Sequence, residues 1–595
     1  MINKNSQQGV LIFATPLLLV ILFFFVVLLI DGARILSVRS EMQAVVNAAA
    51  TAAADEAQSC GGLTPDYASM QTRALAAARA VGFTGEDSEL EVTPGILRTD
   101  SNDDGQLRFL SRNPATQMQQ TNAAWVEYTH SEPVSTLLPV GAIPPIELTA
   151  AAAARKEVVT ILSASGSTAT VDGGLLGNVL SALLGVPNYS LDATDLDSLE
   201  NTLIGVGDLV DTLGLADLSE LVDAPLVDVL AAVTTLAGGT LTPAGALLDD
   251  LTGAAGVSGL DGSAVFEVVG SPPESLDASF PAYDFAISVL MNSVRALNQS
   301  GAGLLAISLD ASQADALRSL LQAVGVTVTL NLQVNEPPRI AIGPARQDEN
   351  GDWLTQVNAA DITLETVVDV SLGAGALGGV LSVLAGVDAS IPLVVQAGGG
   401  EAELVGADCA RGQSNEVTLD FDANSRVATV QTGSIDGGDE LISATVGVPV
   451  VSILAPSLLN VALEVGLDID VSDDNGSDGD HFIQLGPYDL HECPDGEGCS
   501  GSDLSVVGDG IGLDVNVVST SLSCQVALLC GLVSGVVNGV LTPLTGLLGG
   551  IVSDVLETVV SPLLSALGVG LGGMEIRVLG ADQTAAHLVE NVTFE

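Results

Sequence analysis

The side chains that could do chemistry in this chain are few. His481, His491, Cys493 and Cys499 fall close together and could offer zinc the nitrogen and sulfur ligands of a tetrahedral site. The preferred reading is a local disulfide beside surface histidines: Cys493 and Cys499 flank a short polar turn (PDGEG), a spacing that suits a bridge in an oxidising compartment. Cys524 and Cys530 lie equally close together and suit a second local bridge. His491-Glu492 does not open a zinc-peptidase motif, because Asp495 stands where the second histidine would fall. Cys60 and Cys409 have no near neighbour in sequence and no histidine placed to make a nucleophile of either, and they could pair with each other.

Hard oxygen ligands are better represented. Asp100, Asn102 and Asp104, followed by Gly105, match the opening of an EF-hand-like loop, but the twelfth position is Ser111 instead of a bidentate Glu. Asp470, Asp473, Asp474, Asp478 and Asp480 form a dense second group without a recognised spacing. Calcium is the metal such loops would take, and it would stabilise them without catalysing anything; plain solvated turns are preferred for both. There is no G-x-S-x-G elbow and no Walker A sequence, and neither lysine, Lys4 nor Lys156, lies in a glycine-rich turn. The expectation is a non-enzyme with no cofactor and no small-molecule substrate.

Composition narrows the classes further. Of 595 residues 73 are acidic and 17 basic, a formal net charge of −56, which repels nucleic acid. Only 15% are charged and 47% are hydrophobic, so the chain is not a disordered acidic tail and is long enough for two to four domains with sizeable cores.

The element that must position everything else is the uncharged run from Gly9 to Ile30, GVLIFATPLLLVILFFFVVLLI, long enough as a helix to cross the ~30 Å hydrocarbon core of a bilayer. It is longer than the core of a secretory signal, and Asp31-Gly32-Ala33-Arg34 follows with no small-residue cleavage site directly behind it, so retention as an anchor is expected. Processing at Gly9 in the manner of prepilins is not expected, since Ala14 stands where those proteins carry Glu. Helical spacing continues through Ile35, Val38, Met42, Val45, Ala49 and Ala52, which predicts a stalk helix projecting well beyond the lipid. Positive charge alone slightly favours the opposite orientation, but long acidic domains translocate with little regard to charge, and the cysteines favour a periplasmic bulk.

Behind the stalk, four divisions are expected: residues 1–58, the transmembrane and stalk helix; 59–156, a small α+β module; 157–400, a Leu/Gly-rich region of helices and strands; and 401–595, a strand-rich region ending in Leu/Gly helices. The spacing predicts helices over 68–81, 174–186, 199–213, 218–236 and 280–298, and strands over 90–92, 106–110, 124–129, 326–334, 361–370 and 392–396. Residues 238–275 read as a loop. GLLGNVLSALLGV (174–186) is echoed by GALGGVLSVLAGV (375–387), without a constant period that would mark a repeat array. The uncharged stretch 515–553 reads as a buried helical hairpin, with a second membrane contact as the alternative. The fold class is α+β.

Asp31, Arg34, Arg39, Gln43, Asn47 and the alanine-rich run that follows, set directly behind an N-terminal apolar helix, resemble the Tad-type segment of Flp (tight adherence) pilus-assembly proteins. The length, and the blocks YDFAISVLMNSVRALNQ, EPPRIAIGPA, IPLVVQAGGGEAELVGADC and SPLLSALGVGLGGMEIRVLG, are similar to the TadG-like branch. Asn47 departs from that pattern, which would have Asp, and no D-x-S-x-S of a von Willebrand A domain is found. The resemblance implies a membrane-anchored structural or assembly factor of the Flp pilus in the bacterial inner membrane. Its partners would be other pilus-assembly proteins, with membrane lipid met through Gly9 to Ile30. Small residues over 48–54 would let the stalk pack closely against partner helices, although helix propensity explains the alanines equally well. The alternative is a surface adhesin or matrix component displayed by the same anchor.

Overall fold

The computed structural model describes residues 8–99, 107–135, 144–165, 173–186, 189, 191, 193–270, 278–300, 304–309, 326–373, 386–410, 416–424, 428–435, 438–439, 442–452, 455–473, 481–487, 503–505, 511–524, 552–553, 555–569, 574–583, 587–590 and 593–594. Helix α1 (Gln8–Ala54) runs unbroken for 47 residues, about 70 Å at the α-helical rise. Helix α2 (Tyr67–Ala80) follows, opened by the Asp66 carboxylate, which accepts hydrogen bonds from the Ala68 and Ser69 amides. Strands β1 (Leu90–Thr99), β2 (Leu107–Ser111), β3 (Ala123–Glu132) and β4 (Ile146–Arg155) pair antiparallel in the order β4-β3-β1-β2.

In β4 the sequence LTAAAAAR is a strand, although alanine is the strongest helix former and a poor strand former. Packing supplies the reason. Ala150, Ala152 and Ala154 face one side of the sheet and meet Met42, Val45, Val46, Ala49, Ala50, Ala53 and Ala54 of α1, with Met70, Ala74 and Ala78 of α2. Ala153 faces the other side, with Leu97, Phe109 and Trp125. The alanines on both surfaces leave room for the helices to pack directly on the sheet.

Strand β5 (Val158–Ser165) leads into the helical region: α3 (Gly173–Leu184), α4 (Ala193–Asn201), β6 (Leu203–Gly205), α5 (Val206–Leu213), α6 (Leu226–Leu236), α7 (Pro243–Thr252), β7 (Phe266–Val268), β8 (Ser279–Pro281) and α8 (Ala282–Gln299). The expected helix over 199–213 is interrupted, because β6 pairs with β8. The glycine-rich passage read as a loop contains α7, which Thr242 caps at the Gly245 amide with Pro243 in the first turn, where proline is tolerated. Phe266, Phe280 and Phe285 pack mutually at centroid distances of 5.4–5.9 Å in the middle of this region.

The remaining strands are β9 (Leu305–Leu309), β10 (Val326–Glu336), β11 (Ile340–Pro344), β12 (Gln356–Asn358), β13 (Asp361–Gly373), β14 (Gly386–Gly398), β15 (Glu401–Asp408), β16 (Glu416–Asn424), β17 (Thr429–Ser434), β18 (Gly438–Asp439), β19 (Ile442–Ser452), β20 (Ala455–Asp473), β21 (His481–Pro487), β22 (Asp503–Ser505) and β23 (Ile511–Cys524). After the short helix α9 (Ser561–Ala566) come β24 (Glu575–Gln583), β25 (His587–Glu590) and β26 (Thr593–Phe594). One sheet has the order β18-β17-β20-β19-β14-β13-β10-β9, with β23 added to β20. A second has the order β22-β24-β5-β11-β7, and a third β12-β15-β16-β21. Leu330, Leu364, Ile391 and Leu393 of the large sheet share one buried core with the helices α3–α8. The fold is α+β.

Two corrections follow. Residues 515–524, read as the start of a helical hairpin, belong to β23, paired antiparallel with β20; residues 525–551 lie outside the described set. Of the echo 375–387, only the last two residues are described, and they open β14. The last strands also return to the first sheet: β25 pairs with β4 and β26 with β2, giving the full order β25-β4-β3-β1-β2-β26.

Candidate functional site

The feature that sets this chain apart is how α1 is held. At its far end a short junction, residues 55–62, ties the helix to β5, to β15 and to the turn that leads into β3. The Ser59 amide donates to the Thr121 carbonyl (3.3 Å) and the Val158 amide to the Ser59 carbonyl (3.1 Å). Gln58 Nε2 donates to the Val405 carbonyl (2.8 Å), and the Gly62 amide to that of Ala407 (2.9 Å). Gly62 has φ +78°, a conformation that favours glycine, and a Cβ there would stand 3.0 Å from the Asp408 carboxylate, which would have to give way. Cys60 and Cys409, both buried, are joined by a disulfide with a Cα separation of 4.8 Å.

Charges flank the junction. Lys156 Nζ lies 2.6 Å from Asp55 Oδ1, and Arg73 reaches both Asp55 and Glu56. Glu157, 1% exposed, accepts from Asn122 Nδ2 (2.9 Å) and Arg346 Nε (3.2 Å), with Arg155 Nε at 3.7 Å. A buried carboxylate needs this company, because its desolvation is otherwise uncompensated.

Toward the other end, α1 meets the β3–β4 end of the first sheet. Arg34 donates to the Glu132 carboxylate and to the Pro133 carbonyl, and Gln43 Nε2 to the Ala151 carbonyl (3.2 Å). Above Arg34 the helix carries exposed Leu17, Leu18, Leu19, Ile21, Leu22, Phe25, Val26, Leu29 and Ile30.

These contacts correct the stalk expectation twice. The helix does not project free of the body, since it is bonded to the sheet from Arg34 onward. Ala49, Ala50, Ala53 and Ala54 are fully buried against the chain's own sheet and α2, so they are not open to a partner helix.

Of the sequence-predicted metal and cysteine candidates, Cys60 and Cys409 are brought together, in the pairing the sequence offered. Asp100, Asn102, Asp104, Asp474, Asp478, Asp480, His491, Cys493, Cys499 and Cys530 lie outside the described residues. Asp470 and Asp473 sit on β20, His481 opens β21 and Cys524 ends β23. Among the described residues there is no group of His, Cys, Asp and Glu side chains able to hold a metal ion. Also among them, no helix is long and apolar enough to cross a membrane; side chains at 8–16, 20, 23, 24 and 28 of α1 lie outside that set.

Comparison with known proteins addresses the helix directly. Residues 9–56 match the Tad family model, described as Flp pilus-assembly TadE/G-like. The N-terminal segment is similar to the Tad family. It coincides with α1 (Gln8–Ala54) and ends where the junction begins. This supports a role in the Flp pilus-assembly system. No curated protein and no solved structure gives a significant match to the chain.

Proposed function

We propose that this chain is a membrane-anchored structural or assembly protein of the Flp (Tad) pilus and its surface adherence system, not an enzyme. The observation that carries this reading is the coincidence of the Tad-like segment, residues 9–56, with a continuous helix whose second half is built into the body. Residues 9–30 anchor it in the bacterial inner membrane. The bulk lies in the periplasm, and the buried Cys60–Cys409 disulfide suits that oxidising side. Its partners are other proteins of the Tad system, met through surfaces other than the alanine face of α1.

The test is protease accessibility on spheroplasts and intact cells, combined with recovery of bound proteins from detergent extracts. Digestion of the C-terminal region from the periplasmic side only, with pilus-assembly proteins recovered, is expected. Digestion on intact cells without any pilus partner would overturn this reading in favour of a displayed adhesin.

A further inference from the structure

We propose that the β3–β4 end of the first sheet, residues 133–135 and 144–146, is a second membrane contact that rests on the headgroup layer of a zwitterionic bilayer. This deepens the reading of residues 9–30 as an anchor and rests on it. The argument begins with level. Strands β3 and β4 run alongside α1: Ser59 bonds Thr121 at one end, Gln43 bonds Ala151 between, and Arg34 bonds Glu132 and Pro133 at the other. The register pairs Glu132 with Ile146, so both strands end together beside Arg34.

Arg34 is one helical turn beyond Ile30, an advance of about 6 Å. The polar layer on one side of a bilayer is itself roughly 5–7 Å deep, half the difference between the ~30 Å core and the full ~40–45 Å. If the hydrocarbon ends at Ile30, the end of the sheet lies at headgroup depth. No linker separates it from the lipid.

The chemistry of that end agrees. Pro133, Pro144 and Pro145 are exposed, and Val134 and Ile146 half-buried. Glu132 is neutralised by Arg34, which removes the sheet's one carboxylate nearest the boundary. Glu147 and Asp31 remain, so the local charge gives no attraction to anionic lipid, and the contact is an apolar one on neutral headgroups.

The experiment uses the purified full chain, reconstituted in phosphatidylcholine vesicles, with one nitroxide label at a time on Leu22→Cys, Val134→Cys or Leu241→Cys. Labelling is done without reductant, and the parent chain gives the background. Collision with oxygen, which concentrates in lipid, is compared with collision with a water-soluble nickel chelate. The expected result is lipid-type accessibility at position 22, a shift toward oxygen over nickel at 134, and water-type accessibility at 241, where Leu241 is 96% exposed. Water-type accessibility at 134 with lipid-type at 22 overturns the proposal and leaves the anchor standing. Protection of 134 from both reagents means that protein covers it, which also overturns the proposal. Water-type accessibility at 22 overturns the anchor, and this contact with it.

Discussion

Cys60 and Cys409 stand 349 residues apart in sequence and are joined by a disulfide, fastening the end of the long N-terminal helix to the end of β15. The bond is buried, so a mild thiol should not reach it while the protein is folded. The double variant C60S/C409S is expected to lose about 2–4 kcal/mol, the usual worth of a bridge closing a long loop. On reduction after unfolding, the parent should change its migration on a non-reducing gel by more than the variant, whose remaining cysteines are spaced to close only short loops.

Glu157 lies between two guanidinium groups, and removing its charge leaves both uncompensated in the interior. Glu157→Gln is expected to cost about 3–5 kcal/mol, read from chemical denaturation of the detergent-solubilised protein. Glu349→Gln, which breaks the exposed pair with Arg112, should cost no more than about 1 kcal/mol. Equal losses would show that the buried triad is not selectively important.

The alanine seam between α1 and the first sheet admits no larger side chain. Ala50→Leu should lower stability by about 1–3 kcal/mol through overpacking, whereas Ala44→Leu, on the exposed face of the same helix, should be nearly neutral. Thermal midpoints of the two variants make the comparison.

Asp66 caps α2, and hydrogen bonds from the Ser69 backbone, the Ser69 hydroxyl and the Ala68 amide hold its carboxyl below the usual carboxylate value of 3.8. Its contribution is therefore present above the unfolded-state value and lost as pH falls through the lower folded value. Asp66→Asn keeps a capping oxygen but cannot titrate. Below about pH 4 the parent should lose more stability with each step of acidification than Asp66→Asn does, measured by denaturant midpoints across that range.

Local order was readable where a strong period meets a matching burial. The alternating runs near 326 and 361 appear as β10 and β13, because single-faced burial writes itself directly into sequence; the helix over 280–298 appears as α8, although it is buried all round from Phe285 to Val294. The run Ala150 to Ala154 carries no such signal. Its strand state is imposed by α1 on one face and by Phe109 and Trp125 on the other. The fate of the stalk was equally hidden. Whether Ala49, Ala50 and Ala53 meet a partner or the chain's own sheet depends on contacts about a hundred residues away, and Arg34–Glu132 and Asp55–Lys156 have no local signature. The N-terminal segment itself was legible from residue types alone, since its apolar run and the polar positions behind it are contiguous.

The closing of the first sheet by β25 and β26 bears on how the protein is made. Strands β1 to β4 leave the ribosome early, yet the outer edges of β4 and β2 receive their partners only from residues 587–594. Throughout synthesis of the intervening chain, two rows of backbone donors and acceptors stand open to any passing strand. The earliest sheet to emerge is the last to be completed, and a chain halted before its final strands would leave a body with two adhesive edges.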